Sequence, residues 1–310
     1  MKESTKGHIA LIAANIIFGF SAPFSKLLFN EYLSYSNLLV LRSIGGAILF
    51  WIASLFIPRE KLQLKEIGIL VIAAFVGVIF NQGLYLAGLS RTTPIHCGLL
   101  QTLGPIYTLF LAAFILKEPI TLKKVLGVLV GMSGALLLLF SAYRSQDQTN
   151  AHSIWGDILV ILSGVSFALY LTVFMDIIKK YSPITLMKWM FLFSSIVLIP
   201  YYFQDLKGLS TLTGLTPDKA WNFVFYLGYI VIFGTFLGYI LIAYAQKRIR
   251  PTIVSMYVYI QPVVMTMVSL YWGLGTLGID KIVAAILIFT GVYIVTLSKK
   301  RGNYSEMNNE

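Results

Sequence analysis

Long apolar runs separated by short polar turns dominate the pattern of this chain. Ten such runs are visible, at residues 8–28, 35–57, 67–89, 94–116, 121–141, 154–176, 183–203, 221–244, 251–272 and 281–298. Because about 18 or more apolar residues are enough to cross a bilayer as a helix, we expect ten transmembrane helices. A helix satisfies its own backbone hydrogen bonds inside lipid, so the pattern predicts an all-α polytopic membrane protein.

Two connections between these runs are longer and polar, at residues 142–153 and 204–220, and we interpret both as loops. The first apolar run contains Asn15, Pro23 and Lys26 and lacks a small-residue cleavage pattern after a short apolar core. We therefore expect it to be a retained helix and not a removed signal peptide.

Composition supports the membrane interpretation and excludes several other classes. Of the 310 residues, 57% are hydrophobic and 12% are charged, and the mean hydropathy is +0.80; a soluble domain of this length needs far more charged surface. The net charge of +11 is explained by basic residues in cytoplasmic loops, without nucleic acid. The single cysteine, Cys97, excludes an intramolecular disulfide and a cysteine metal cluster.

The distribution of lysine and arginine among the loops predicts the orientation. With the N-terminus inside the cell, sixteen of these residues fall on the inner side and six on the outer side. Inner loops of membrane proteins are enriched in positive charge, so both termini are expected to be cytoplasmic in a multi-pass protein of the cell membrane.

The second half of the chain repeats the first. The matching pairs are Gly7/Gly156, Phe18/Phe167 and Tyr32/Tyr181 at an offset of 149 residues, and Pro94/Pro251, Pro105/Pro262, Lys124/Lys281 and Gly134/Gly291 at an offset of 157. We divide the chain into a first repeat (7–141), a linker (142–153), a second repeat (154–298) and a cytoplasmic tail (299–310). Five spans per repeat is an odd number, so the second copy is expected to lie upside down in the membrane. Inverted repeats are typical of secondary transporters, whose substrate site lies between the halves.

Polar side chains within the spans are candidates for that site. Those we predict to bind substrate are Asn15, Asn81, Tyr85, Gln101, Tyr170, Tyr239, Tyr257 and Gln261. An amide has both a donor and an acceptor, and tyrosine can form amphipathic walls. The alternative is that these residues, together with nearby glycines, form tight contacts between helices.

Four further residues are candidates for gating or anchoring. Pro105 and Pro262 lack a backbone donor in mid-span, so each is expected to kink its helix, with or without a role in movement. Arg42 could extend its guanidinium to the membrane surface, bond to neighbouring carbonyls or bind a substrate carboxylate. Glu118, at the end of the fourth span, could pair with lysines of the loop or act as a gate.

The order of several short motifs resembles the EamA-type transporters of the drug/metabolite transporter superfamily. In the first half these are residues 15–19 (NIIFG), 103–105 (LGP) and 117–119 (KEP), with Pro23, Lys26 and Arg42; in the second half they are 156–157 (GD), 168–170 (ALY), 261–262 (QP) and 290–292 (TGV). The resemblance covers nearly the whole chain and implies ten helices in two repeats. The second half departs from the pattern because Gly275 stands where the first half has Glu118.

These features predict a secondary transporter that moves a small polar metabolite by alternating access. The resemblance points to an amino acid or related compound, in the efflux direction; the alternative is a nucleotide-sugar or organophosphate exchanger of the same architecture. No residue pattern of an intramembrane protease or of an ATP-binding loop is present, so we expect neither an enzyme nor ATP-driven transport. We expect the partners to be a small-molecule substrate and the lipid bilayer, with no nucleic acid, cofactor or metal, for a protein that can act as a monomer.

The two amides of the fourth and ninth spans break the symmetry of the repeat. Gln101 is equivalent to Val258 at the offset of 157, and Gln261 is equivalent to Gly104. The sequence therefore predicts a symmetric scaffold around an asymmetric pocket. No aspartate or glutamate lies in the middle of a span, so tight coupling to an ion through such a carboxylate is not indicated.

Overall fold

A computed structural model describes residues 3–92, 94–144, 154–206, 214–271 and 278–298 of the protein, and the secondary structure within these ranges is helical. In chain order the ten main helices are α1 (Glu3–Glu31), α2 (Tyr35–Ala53), α3 (Leu64–Arg91), α4 (Pro94–Gln101 and Gly104–Ile115), α5 (Leu122–Arg144), α6 (Ile154–Val173), α7 (Pro183–Tyr201), α8 (Pro217–Gln246), α9 (Pro251–Met256 and Ile260–Tyr271) and α10 (Ile279–Thr296). Two short helices, Met175–Lys180 and Phe203–Leu206, follow α6 and α7. Each predicted span thus contains a helix.

The length and composition of these helices are those of a membrane protein. Among the described residues, α1, α2, α3, α6, α7 and α8 are each long and apolar enough to cross a bilayer. Shorter apolar segments lie in α4, α9 and α10. The predicted all-α membrane fold is therefore confirmed, whereas the crossing of the membrane by all ten helices remains a prediction.

Several helix boundaries differ from the predicted ones because polar residues start the helices earlier. The α1 helix begins at Glu3, and α3 begins at Leu64, where the Glu66 carboxylate accepts a hydrogen bond from the Gln63 N–H at 2.9 Å. The α8 helix begins at Pro217, a residue suited to the first helical turn, and so shortens the predicted loop 204–220. The α5 helix continues to Arg144, into the predicted loop 142–153, the rest of which lies outside the described residues.

Two spans predicted as single helices are interrupted at equivalent places. The α4 helix is interrupted at residues 102–103, and Pro105 lies in the first turn of its second segment. The α9 helix changes to a 3-10 turn at Tyr257–Tyr259, just before Pro262. Proline gives no N–H to the carbonyl four residues earlier, which explains why both irregularities precede a proline. The kinks predicted from the two prolines therefore correspond to local breaks of the helix.

The α3 and α8 helices share a second irregularity that the sequence did not reveal. Residues Phe75–Phe80 of α3 and Tyr229–Leu237 of α8 are wound as π-helix. Shifted by the repeat offset of 157, the first segment falls within the second. A π-helical turn contains an extra residue, so each segment changes which side chains of its helix face inwards.

Packing shows that the two halves are inverted copies. In the α2–α7 pair, Tyr35 at the start of α2 contacts Tyr202 just after the end of α7, with ring centroids 6.4 Å apart, and Trp51 near the end of α2 contacts Trp189 near the start of α7 at 5.6 Å. These equivalent helices are therefore antiparallel. Gly127 of α5 lies against Val295 of α10, and Gly134 lies against Ala284, so this equivalent pair is antiparallel as well.

The start of α1 and the end of α10 lie at the same face of the bundle. Arg248, in the turn after α8, bonds through Nε to Glu3 at 2.7 Å, and Arg250 bonds through an Nη nitrogen to the Ser298 carbonyl at 2.9 Å. At this face the Lys180 ammonium and the Tyr181 hydroxyl also bond to Glu66. We call it the inner face; its cytoplasmic location remains a prediction.

Candidate functional site

A cavity of about 150 Å³ lies in the middle of the bundle, between the two halves. One water needs about 10–15 Å³ of such space, so the cavity has room for roughly ten waters and is larger than a packing defect. The residues that line it are Asn15, Phe18, Ser21, Ala22, Ser25, Arg42, Asn81, Gln82, Tyr85, Gln101, Gly104, Ser163, Gly164, Phe167, Tyr170, Met187, Tyr239, Ile242, Val254, Ser255, Val258 and Gln261.

The lining follows the symmetry of the repeat. At the offset of 149, Asn15 is equivalent to Gly164, and both line the cavity. At the offset of 157, Gln101 is equivalent to Val258, and Gly104 is equivalent to Gln261; these four residues also line it. Equivalent surfaces of the two halves therefore form the cavity, as expected for a site at a repeat interface.

The structure brings together seven of the eight residues predicted to bind substrate. Those that line the cavity are Asn15, Asn81, Tyr85, Gln101, Tyr170, Tyr239 and Gln261. The eighth, Tyr257, is not among the lining residues: its hydroxyl lies 2.6 Å from Nδ1 of His8, towards the inner face. Binding of substrate by any of the eight remains a prediction.

Asn15 and Gln261 form a bridge between the halves. The Gln261 Nε2 donates to Asn15 Oδ1 at 2.9 Å, and Asn15 Nδ2 donates to the Leu11 carbonyl at 2.8 Å. Asn15 is 1% exposed. Its side chain is thus occupied by protein contacts, and of this pair Gln261 is the better placed to contact a solute.

Asn81 and Ser163 form a second bridge between the halves. Asn81 Nδ2 donates to the Ser163 carbonyl at 3.0 Å, and the Ser163 hydroxyl donates back to the Asn81 carbonyl at 2.8 Å. Within the π-helical segment directly before Asn81, the Val76 carbonyl accepts a hydrogen bond from another serine of α6, Ser166, at 2.7 Å. Asn81 therefore holds α3 against α6 at the edge of the cavity.

Gln82 is a lining residue that the sequence analysis missed. Regular helical spacing predicts that Gly77, Asn81 and Tyr85 share one face of α3. The π-helical turn brings Gln82 to the cavity as well. Gln82 Nε2 donates to the Tyr239 hydroxyl at 2.7 Å. These two residues are 157 apart and are equivalent in the repeat, so their hydrogen bond lies where the two halves meet.

Arg42 also lines the cavity, and it is the one charged side chain among the lining residues. It is 6% exposed, and its Nε donates to Oγ1 of Thr235 at 3.1 Å. The buried location excludes the prediction that the guanidinium extends to the membrane surface. Its other two roles, bonding to carbonyls or binding a carboxylate, remain predictions.

The remaining gating or anchoring candidates lie outside the main cavity. Pro105 is buried in α4, and Pro262 lines a smaller cavity of about 10 Å³, enough for one water, beside the main one. Glu118 Oε2 accepts a hydrogen bond from Lys124 Nζ at 2.7 Å near the inner face. Within the described residues, no three histidines, cysteines or carboxylates are grouped as a metal site requires.

Comparison with known proteins places both halves in one family. The model of the EamA-like transporter family matches residues 5–140 and again residues 154–297. The uncharacterized transporter YyaM of Bacillus subtilis (strain 168) is 26% identical over 235 residues, which are 75% of this chain and 74% of that protein. An uncharacterized transporter of Archaeoglobus fulgidus is 23% identical over 94% of this chain and 98% of its own length.

A plant protein and a solved structure also match this chain. The WAT1-related protein At5g47470 of Arabidopsis thaliana is 27% identical, over 81% of this chain and 72% of its own length. A solved crystal structure matches with a TM-score of 0.69 at 16% identity, over 95% of this chain and 97% of that chain. At this identity, the structural match shows the fold alone.

Proposed function

The chain belongs to the EamA-like transporter family, and we propose that it is a secondary transporter that moves a small polar metabolite by alternating access. The resemblance seen in the sequence is thereby confirmed, and the protein is a multi-pass membrane transporter by family. The substrate, the efflux direction and the location in the cytoplasmic membrane with both termini inside are parts of the proposal.

The central cavity is the observation that carries this proposal. Its walls come from equivalent surfaces of two inverted halves, and an inverted pair can adopt two related arrangements that open the same site to opposite sides of the membrane. The breaks in α4 and α9 and the π-helical segments of α3 and α8 lie around the cavity. Irregular helix turns of this kind are where one half can move relative to the other.

The lining favours an amino acid or a related compound over a phosphorylated solute. Amide groups and tyrosine hydroxyls can bind polar groups from several directions, and Phe18 and Phe167 add apolar walls. An organophosphate exchanger needs several basic groups at the substrate. Arg42 is the one lysine or arginine among the lining residues, which supports the amino-acid class.

Counterflow in proteoliposomes tests the transport proposal. Vesicles that contain the purified protein are loaded with a pool of amino acids or with a pool of sugar phosphates, and entry of labelled members of each pool is measured. We expect counterflow with the amino-acid pool. Counterflow with sugar phosphates alone would contradict the substrate class, and its absence with every solute would contradict transport.

Variants at the cavity connect that transport to the site. Gln101→Leu and Gln261→Leu should each slow counterflow and raise its half-saturating solute concentration while the protein still inserts and folds, because each removes hydrogen-bonding groups from the cavity wall. Gln246→Leu is the matched control, since Gln246 is a buried amide of α8 that does not line the cavity. Unchanged rates in the first two variants would assign both residues to packing.

A further inference from the structure

Arg42 is a buried cation whose charge is not compensated by a nearby carboxylate. The residues that line the cavity include no aspartate or glutamate. The ionisable groups close enough to act on the guanidinium charge are the hydroxyls of Tyr239 and Tyr85, which are neutral at physiological pH. An unpaired charge at membrane depth is costly, so proteins usually retain one for a function.

The hydrogen bonds of Arg42 leave most of its donors available. Nε donates to Thr235, whose own hydroxyl donates to the Ile230 carbonyl within the π-helical segment of α8 at 2.9 Å. Within the described part of the chain, this bond through Nε is the hydrogen bond that the structure gives Arg42. A guanidinium bonded through Nε can still offer its two terminal nitrogens to a carboxylate, and Arg42 lines the cavity.

A second observation at the same site points to a ligand. The Gln82 Oε1 atom and the Tyr170 hydroxyl are buried, and neither has a hydrogen-bond partner within the described part of the chain. Both residues line the cavity. Buried polar atoms are nearly always bonded, so an acceptor and a hydroxyl without partners indicate that something else bonds to them.

We propose that Arg42 binds the carboxylate of the transported solute, and that Gln82 Oε1 accepts a hydrogen bond from an N–H or O–H group of the same molecule. The ligand class is a small carboxylate with a nearby donor, as in an amino acid or a hydroxy acid. The inference rests on the proposed transport function, and it assigns the charge recognition of that site to one residue. Binding would neutralise Arg42 and remove the cost of its burial.

Ligand-induced stabilisation of the purified protein tests this assignment apart from transport. The probes are a pool of amino acids, a pool of the corresponding amino acid amides, and a pool of sugar phosphates. We expect the acids to raise the unfolding temperature of the wild-type protein and the amides to have much less effect, because the amides lack the carboxylate. Stabilisation by amides equal to that by acids, or by sugar phosphates alone, would overturn the proposal while leaving a transporter.

Variants of Arg42 separate ligand binding from a structural role. Hydrogen bonds to a charged group contribute about 1.5–3 kcal/mol, so Arg42→Gln should weaken binding of the acids about 13- to 160-fold. Arg42→Lys keeps the charge without the fork and should retain part of the affinity. Lys188→Gln is the matched control, since Lys188 lies over the Trp51 ring, 4.9 Å from its centroid, and does not line the cavity.

The stability of the ligand-free variant completes the test. Since Arg42 has no acidic partner, Arg42→Gln removes an uncompensated charge and should leave the ligand-free protein as stable as the wild type, or more stable. Weaker stability without ligand, together with unchanged preference for acids over amides, would show that Arg42 has a structural role and would overturn the proposal.

Discussion

Gly77 and Gly234 occupy equivalent positions in the two halves, in the π-helical segments of α3 and α8, yet they contact different side chains. A Cβ atom at Gly77 would lie 2.6 Å from the Tyr170 ring, and one at Gly234 would lie 2.7 Å from the Ser21 hydroxyl. Tyr170 and Ser21 are themselves equivalent at the offset of 149. The backbone therefore follows the repeat, whereas the side chains at the cavity do not.

The same difference extends around the cavity. Arg42 of the first half is equivalent to Phe191 of the second, a buried residue whose ring lies 5.3 Å from that of Tyr239. Gln101 is equivalent to Val258. At these two positions the first half contributes a charge and an amide where the second contributes an aromatic or apolar side chain, whereas at the Gly104/Gln261 pair the amide comes from the second half. Two access states need a symmetric scaffold, but one asymmetric solute needs an asymmetric pocket.

Among the differences between the two halves, the one at Glu118 is expected to have the largest effect on the stability of the protein. The first half has the Glu118–Lys124 pair, in which Lys124 is 1% exposed, while the second has Gly275 in place of the carboxylate. Glu118→Gln leaves a buried ammonium without its counter-charge and should reduce the unfolding free energy by about 3 kcal/mol. Unfolding of the detergent-solubilised protein measures this change.

A double variant distinguishes the buried charge from other effects at Glu118. Adding Lys124→Met removes the unpaired ammonium, and the double variant should recover to within about 1 kcal/mol of the wild type. If Glu118→Gln alone is as stable as the wild type, the pair does not stabilise the first half, and this contrast with the second half disappears.

Alanine substitutions at Gly77 and Gly234 are expected to show the next largest effect on stability. Gly77→Ala places a methyl group against a tyrosine ring that cannot move without repacking, so it should destabilise the protein by about 1–3 kcal/mol. Gly234→Ala meets a serine hydroxyl that can rotate away, and it should change stability by less than about 1 kcal/mol. Both changes lie in the same kind of helix turn, so each controls for the other; equal losses would contradict the asymmetry of their contacts.

The asymmetric part of the molecule was the harder part to predict. Sequence periodicity revealed the spans and the constant offsets, because burial in lipid and close helix packing act on every residue of a helix. It did not reveal Gln82 as a lining residue, because a π-helical turn changes the register of α3 without a mark in the local composition. Tyr257 was placed at the site by spacing alone, and a turn of 3-10 helix directs its hydroxyl to His8.

The contrast between Gln101 and Val258 predicts an effect on transport that is smaller in free energy than the stability changes above. Gln101→Val copies the residue of the second half into the first and removes amide groups from the cavity wall. Loss of one hydrogen bond of about 0.5–1.5 kcal/mol should raise the half-saturating solute concentration in counterflow about 2- to 13-fold. Val258→Ala is the control, since it changes the equivalent wall without removing a polar group, and a similar rise there would assign the effect to cavity shape.

Replacing Lys117 is expected to have the smallest effect on stability. It is the one non-glycine residue with a positive φ, 53°, among those that the structure describes, and it follows the last turn of α4, where the Glu118 N–H donates to the Ala112 carbonyl at 3.1 Å. At the offset of 157 the second half has an uncharged residue, Leu274. Lys117→Gly relieves the left-handed strain but increases the entropy of the unfolded chain, so a net stabilisation of less than about 1 kcal/mol is expected in unfolding measurements.

Lys117→Ala is the control for the relief of backbone strain, because alanine keeps the left-handed strain and loses only the long, charged side chain. If glycine stabilises the protein and alanine does not, the first half keeps lysine at a conformational cost. A basic residue at this end of α4, where the second half has leucine, would then be retained for its charge, beside the last carbonyls of the helix at the inner face. Equal stability of the two variants would instead show that the helix end tolerates the left-handed conformation without measurable strain.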